Sequence, residues 1–474
     1  MVDSTNVLTG VLEAKCSAAP LVVLAAGTGV ERRGSAAFQE LDQMSFIAPL
    51  VTWAHRVDHP NRVPAALQRA WLVAQHGVPG PVYVELPDHL LTAEIERAFP
   101  WRVNAETSMA YKSSVSSPAL DAVRAARRPV LLVGGGARHR NDAHSIERFA
   151  DRLGAALLVT ASGRGSVDEN HERFLGLSGL YLRPQAAELL RDSDLVIALG
   201  SRLEETATYG WPQLPVVQVN IAAEEFSAEF PGHTVVGDVA AVVAHWSSMM
   251  DTHEPDPGWL MRIAETRAAI VAEAKTETSV IAGLLTTLGD VLPEDRILVQ
   301  ENGLQDMWSY FFPFFTCPAE AGSIVPSEQT SLGFGAAAAG GVALAAPGRQ
   351  VVAFVGDGAF AMVDADLETV ARHGLGVLYV VLCNGGYGWL QAQLEQRRLN
   401  GERFEFAGGG FPPNRFDGLS QVHYTVLEDP GDCGPVLRHA VEVCAQGRVS
   451  VVYVPVELAD RPPGLSEIDY SVPQ

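Results

Sequence analysis

Short, unbroken apolar runs separated by helix-like stretches most restrict the folds open to this chain. VVAFVG (Val351–Gly356) and VLYVVLCN (Val377–Asn384) have no alternating polar positions. A strand built from such a run must be covered on both faces, as strands are in parallel sheets flanked by helices. Three blocks of this pattern follow one another. In the first, residues 1–105, strands are expected at Leu21–Ala25 and Val82–Leu86, with a helix around Arg62–His76 and a turn at GVPGP. In the second, residues 106–255, they are expected at Pro129–Gly136, Ala156–Thr160, Asp194–Gly200 and Val216–Ile221. DTHEPDPG (Asp251–Gly258) reads as the linker that follows. In the third, residues 275–474, they are expected at Arg296–Glu301, Val351–Gly356, Val377–Asn384 and Val449–Val456. The Gly-, Arg- and Phe-rich stretch Arg397–Gly418 reads as a covering loop. The expected fold class is α/β with doubly wound parallel sheets.

Composition removes several functions. Of 474 residues, 47% are hydrophobic and 19% charged, so the chain can bury large cores. The formal net charge of −22 argues against non-specific binding to nucleic acid or to an anionic membrane. Cys16, Cys317, Cys383, Cys433 and Cys444 are scattered, with no C-x-x-C pair. Neither a zinc site nor a disulfide framework is indicated, and a reducing cytoplasm is the expected compartment. The N-terminus carries no basic segment of a signal peptide. The uncharged, Ala/Gly-rich stretch Leu332–Gly348 is too short to span a bilayer comfortably and reads as a tightly packed internal helix. The histidines of WAHRVDHP and HRNDAH lack a third ligand at metal spacing.

The chemistry concentrates in the third block. Gly-Asp-Gly (356–358) closes one apolar run, and Asn384 closes the next, 27 positions after Asp357. If the two runs are neighbouring parallel strands, a carboxylate and an amide oxygen meet at one sheet edge. Open α/β sheets bind ligands at the carboxyl ends of their strands. Mg²⁺ takes one or two protein oxygens and completes its octahedron with water and phosphate oxygens. The glycines permit close ligand approach, and the N-terminus of a following helix can add N–H groups to a phosphate. That helix is expected from Val363, Leu367, Val370 and Ala371, with Asp364 and Asp366 in its first turn and Gly374 at its end. A backbone carbonyl near Gly386 offers a third oxygen. The pattern reads as a Mg²⁺–diphosphate site.

Gly-Asp-Gly, some two dozen residues and an Asn resemble the fingerprint of the thiamine diphosphate (ThDP) enzymes, whose Asn-Asn pair is here Cys383-Asn384. The resemblance covers nearly the whole chain. STNVLTGVLEA (Ser4–Ala14) and FQELDQ (Phe38–Gln43) look like the second half of the pyrimidine-binding domain in the acetolactate synthase-like branch. It implies three doubly wound parallel-sheet domains, the first incomplete, with Asp357, Asn384 and the Gly386 carbonyl on Mg²⁺. It also implies cofactor contacts from Gly356, Asp357, Gly358, Ala359, Phe360, Asn384, Tyr387 and Gly388. QENGLQDMW (Gln300–Trp308) matches the first diphosphate-contacting loop, with Gly303, Leu304 and Gln305 as candidates; an ordinary strand-to-helix turn is the alternative. SEQTSLGFG places Leu332 where the family carries the bulky residue that bends the cofactor; a core leucine is the alternative. The bound cofactor acts as an electron sink after CO₂ loss from a 2-oxo acid. The middle block resembles that branch's central domain and reads as a structural Rossmann-like spacer, because GGGA is not G-x-G-x-x-G; a nucleotide or FAD there is a secondary reading.

Two departures shape the expected function. The family's activating glutamate precedes the point at which this sequence begins, and Glu13, Glu31 and Glu40 come too late in the motif order to replace it. The catalytic residue is therefore unassigned, and a separate chain completing the first domain, an upstream start, or a non-catalytic subunit are the competing explanations. Dedicated decarboxylases often carry a glutamate a few residues past the metal-binding Asn, where this chain has Leu390. That favours a ThDP- and Mg²⁺-dependent carboligase which decarboxylates a small 2-oxo acid and transfers the acyl carbanion equivalent. A 2-oxo acid decarboxylase, or a subunit needing a partner chain, is the alternative. A dinucleotide-dependent dehydrogenase has no fingerprint to support it. Phe38, Gln39 and Trp389 are candidates for the substrate pocket, with core packing the competing reading for Phe38 and Trp389. Cofactor sites shared between subunits imply at least a homodimer.

Overall fold

The structure is a computed structural model; it describes residues 3–95, 118–138, 144–250, 254–304, 306–318, 321–327, 329–397, 405–406, 416–458 and 460–463. Fifteen strands make three all-parallel sheets among these residues. The chain divides into two compact units: residues 1–110 with 326–331, and the remainder.

The first unit holds β1 (Leu21–Gly27), β2 (Trp53–Arg56) and β3 (Pro81–Pro87) in the order β1-β3-β2. Only β3 is covered throughout. It packs on Ala66, Ala70 and Ala74 of the helix Val63–Gln75, one helical face at i, i+4 and i+8. On its other face Tyr83 meets Val11, Ile47 and Val51. Glu85, on β3, is 1% exposed and receives Arg56, which also donates to the Thr28 carbonyl. A Cβ on Gly27 would overlap the Glu85 carboxylate, so the glycine leaves the room this ion pair occupies. Among the described residues strand β1 is an open edge, with Leu21 and Leu24 exposed.

The second unit contains two six-stranded sheets. One holds β4 (Pro129–Val133), β5 (Ala156–Val159), β6 (Phe174–Leu177), β7 (Leu195–Leu199), β8 (Val216–Asn220) and β9 (Gly232–Val236), in the order β6-β5-β4-β7-β8-β9. This is the dinucleotide-fold strand order, whose crevice lies between β4 and β7. Here the loops after those strands close on each other. Gly134 N–H donates to the Leu199 carbonyl and Gly136 N–H to the Gly200 carbonyl, each at 2.9 Å. A Cβ at Gly134 would lie 2.4 Å from the Gly200 oxygen. The glycines of GGGA thus serve loop-on-loop packing.

The other sheet holds β10 (Ile297–Gln300), β11 (Gly322–Ile324), β12 (Val351–Gly356), β13 (Val377–Cys383), β14 (Val422–Val426) and β15 (Val449–Pro455), in the order β11-β10-β12-β13-β15-β14. Its order reverses between β10 and β12. Alternate residues serve opposite cores: Val352 and Phe354 face one, Val351, Ala353 and Val355 the other. Burial on both faces is why these strands are apolar throughout.

Three expectations change. The stretch after the second block is no simple linker, since Asp256 accepts the N–H groups of Gly258 and Trp259 and so caps a helix over Pro257–Ala274. Trp259 Nε1 from that helix donates to the Pro129 carbonyl at 3.2 Å, docking it on β4. The helix after Gly-Asp-Gly begins at Asp357 itself and ends at Val363. A 3₁₀ turn over Asp364–Asp366 then leads into Leu367–Arg372. The Ala/Gly-rich helix, Phe334–Ala345, is internal on one face only: Ala336, Ala339 and Gly340 are buried while Leu344 is 67% exposed. No helix of the described residues is long and apolar enough to cross a membrane.

Trp246 lies in the helix Val239–Ser248, 1% exposed and against Phe149 at 6.2 Å. Trp246→Ala should lower the unfolding free energy of the second unit by about 3–5 kcal/mol in a urea titration followed by circular dichroism. A loss below about 1 kcal/mol would show that this helix does not share the β4–β9 core.

Candidate functional site

The β10/β12 reversal is the topological switch point of its sheet, where a crevice opens outside the strand ends. β12 delivers Asp357 to it, and β13, paired so that Gly356 faces Leu382, delivers Asn384 one strand away. The Asp357 side chain is 1% exposed. Its Oδ1 accepts the Gly358 N–H and its Oδ2 the Gly385 N–H, both at 2.8 Å. One carboxylate therefore ties the two strand-end loops together. Asn384 Oδ1 accepts the Gly386 N–H at 2.9 Å, turning the chain at Gly385 with φ +70°. Residues 405–406 lie along this turn: Phe406 N–H donates to the Gly385 carbonyl at 2.6 Å, and Glu405 bridges Gly386.

Burial pushes the Asp357 carboxyl above its ordinary value, against the lowering effect of the backbone donors from Gly385 and Gly358. The main influences on it among the described residues are burial and backbone donors, none of them a Lys or Arg charge. Burial likewise pushes the Cys383 thiol up to about 12, helped by the charge of Asp357. Cys383 is thus a neutral thiol, and the site's oxygens come from Asp357, Asn384 and the backbone. A buried, uncompensated carboxylate beside an amide oxygen and a peptide carbonyl is a hard-cation donor set of the kind Mg²⁺ takes. The residues present fit that ion.

The other expected residues separate into groups. A Cβ on Gly358 would lie 2.8 Å from the Tyr387 ring and 3.0 Å from that of Phe406, and those two rings meet edge-to-face at 5.0 Å. Gly356 precedes the helix Asp357–Val363 and Gly388 opens the helix Gly388–Gln396. Ala359 is buried, while Phe360 is a core residue at 0% exposure among Tyr379, Phe416 and Tyr453. The Gly303 carbonyl accepts the Met307 N–H at 3.1 Å, and Leu304 is 1% exposed, in the core. Gln305 lies outside the described residues, as does most of Arg397–Gly418. Leu332 is 43% exposed, so it is not a core leucine. Gly333, with φ +89°, follows it, and a Cβ there would lie 3.7 Å from the Ala359 carbonyl. Leu332 therefore stands beside the helix that Asp357 opens.

Trp389 is half-buried against the main core and Leu390 is exposed. In the first unit, Phe38 is 83% exposed, which removes core packing as its role, and Gln39 beside it has φ +58°. The glutamates set aside in the sequence have local roles or are exposed. Glu13 accepts the Ser327 N–H, Glu40 accepts those of Gly34 and Ala37, and Glu31 is exposed. Sequence reasoning missed Glu301, at the end of β10 and 1% exposed. Its Oε2 accepts the Gly335 N–H at 2.9 Å, pinning the helix Phe334–Ala345 over the switch point. Its signal was an acidic residue two positions past the apolar run Ile297–Val299.

Residues 117–245 match the central domain of the thiamine pyrophosphate enzymes, and residues 303–454 match the family's C-terminal TPP-binding domain. The chain belongs to the thiamine pyrophosphate enzyme family. Its curated relatives include the acetolactate synthase large subunit of Lactococcus lactis, 24% identical over 415 residues, or 83% of this chain and 71% of that protein. The acetolactate synthase of Mycobacterium bovis is 27% identical over 82% of this chain and 65% of its own length. The isozyme 3 large subunit of Escherichia coli is 27% identical over 82% and 70%. The chain thus spans roughly two thirds of the relatives it matches. The TPP-binding match contains Asp357, Asn384 and the Gly303–Leu304 loop.

Because the folded-state pKa of Asp357 is raised, its contribution to stability is greatest below the unfolded value of 3.8 and declines as pH rises through the folded value. In metal-free protein, the stability advantage of wild type over Asp357→Ala should shrink from pH 3.8 toward neutrality in urea titrations. An advantage that grows with pH would mean the two N–H donors outweigh desolvation.

Proposed function

We propose that this chain binds ThDP through Mg²⁺ held by Asp357, Asn384 and the Gly386 carbonyl, and works as an acetolactate synthase-like carboligase on a small 2-oxo acid. The observation that carries the reading is the buried Asp357 carboxylate, joined to the Asn384 turn and with no Lys or Arg charge among the main influences on it from the described residues. When bound, ThDP supplies a nucleophilic ring carbon and an electron sink. The chain's own residues bind and orient it. Asp357 holds the metal, Gly303 and Leu304 present backbone groups across the switch point, and Leu332 offers an apolar prop beside the metal loop. Leu390 brings no proton donor to the start of its helix, which suits carbon–carbon bond formation better than release of a protonated aldehyde.

A second chain, or further sequence, completing the first domain is favoured by one observation. Among the described residues strand β1 presents a seven-residue, uncharged open edge, an arrangement proteins ordinarily cover. An activating glutamate would come from that completing segment. On this reading the working enzyme is at least a homodimer, as the family resemblance implies.

Isothermal calorimetry with ThDP, with and without Mg²⁺, tests the metal assignment. Wild type should bind in the presence of Mg²⁺, and Asp357→Ala should lose about 3–5 kcal/mol of binding, since it removes the only carboxylate among the proposed ligands. Equally tight binding by that variant would remove Asp357 from the site.

A further inference from the structure

The loop after β10 is held from outside its own sheet. Arg164 and Glu169 follow β5 in the central block, and both are essentially unexposed, at 0% and 1%. Arg164 Nε and Nη2 grip the two oxygens of Glu169 at 2.9 and 2.8 Å. The guanidinium also donates to the carbonyls of Ser309 and Phe315, both at 2.8 Å. Glu169 Oε2 in turn accepts the Cys317 N–H at 2.9 Å, and the Glu169 N–H donates to the Cys317 carbonyl at 3.1 Å. Two side chains thus fasten residues 309, 315 and 317 of a loop that belongs to the other sheet.

The fastening reaches the proposed diphosphate loop. Ser309 lies in the 3₁₀ segment Asp306–Tyr310, whose Met307 N–H bonds the Gly303 carbonyl at 3.1 Å. Ser309 Oγ donates to Gln300 Oε1 at 3.2 Å, on the last residue of β10. Residues 300–304 and 306–309 are therefore tied at one end to β10 and at the other to Arg164. Around it, Phe174 meets Phe312 at 5.3 Å, Tyr181 meets Tyr310 at 4.7 Å, and a Cβ on Gly176 would come within 3.0 Å of Phe312. Those contacts fill space without direction; the Arg164 fork aims specific carbonyls.

We propose that Arg164 and Glu169 are positioning residues for the cofactor's diphosphate, setting the backbone of Gly303 and Leu304 from the central block. The inference rests on the ThDP reading and extends it: the central block, which showed no ligand fingerprint of its own, acts on the site through this clamp. Lysine cannot replace the fork, because one ammonium cannot reach two carbonyls and both Glu169 oxygens in the arginine's planar geometry.

The test compares wild type with Arg164→Lys and Glu169→Gln. Binding of ThDP and of inorganic diphosphate, each with Mg²⁺, is measured by calorimetry, alongside melting of the cofactor-free protein and amide hydrogen exchange. The expected result is a folded variant whose affinity for both ligands falls by the same factor, about ten- to a hundred-fold. Exchange should quicken at Met307 and Cys317 and stay unchanged in the β13 and β15 amides. Glu169→Gln keeps the shape but loses the charge and one acceptor oxygen, so it carries the same test if Arg164→Lys does not fold. A folded variant with unchanged affinity for both ligands overturns the clamp while leaving the ThDP reading standing. So does a loss for ThDP without a loss for inorganic diphosphate. Wild type that binds neither ligand overturns both readings.

Discussion

Parallel pairing brings the ends of successive strands to one edge of a sheet, and the candidate site depends on that alignment. β12 and β13 pair from Val351 with Val377 up to Gly356 with Leu382, so the residues leaving the two strands emerge as neighbours. One carboxylate then bridges the two exits by accepting a backbone N–H from each. The hydrophobic burial that makes these strands apolar on both faces also desolvates Asp357. The same packing that fixes its position raises the cost of its charge, which a divalent cation would offset.

The second unit shows how one site draws on several elements. Glu301 pins the helix that follows Leu332, Asp357 pins the Asn384 turn, and the pair Arg164–Glu169 pins the loop that leaves β10. Each is a buried charge satisfied largely by backbone donors or acceptors. Burial makes such groups costly if left unpaired. Their use at strand ends and loops places rigidity where the chain would otherwise be loosest.

Central strands were legible in the sequence, while most edge strands were not. β3, β4, β5, β7, β8, β10, β12, β13 and β15 have apolar cores that reveal them, because each is covered by neighbours. β2 reads WAHR, β9 reads GHTVV, β11 is the three-residue GSI, and β14 reads VHYTV; all four sit at sheet edges with partly or wholly exposed residues. β6, also an edge, is buried but interrupted by Gly176. β1 was legible although it is an edge, and its apolar run is exposed. Asp357 and Asn384 could be read from their strand-end positions. Glu301 left only a faint signal, an acidic residue just past an apolar run, and the Arg164–Glu169 clamp could not be read, because the carbonyls it holds lie 145 and 151 positions along the chain. Phe38 shows the reverse limit, since an aromatic residue for which core packing was a competing reading is 83% exposed.

The central claim is that Asp357 and Asn384 share one metal ion that carries the diphosphate. The most direct measurement is a crystal structure of the chain grown with ThDP and Mn²⁺, with the metal located by its anomalous signal. The account predicts one metal per chain, within bonding distance of Asp357, Asn384 Oδ1, the Gly386 carbonyl and two phosphate oxygens. A metal bound away from Asp357, or ThDP bound with no metal between its diphosphate and Asn384, would contradict it.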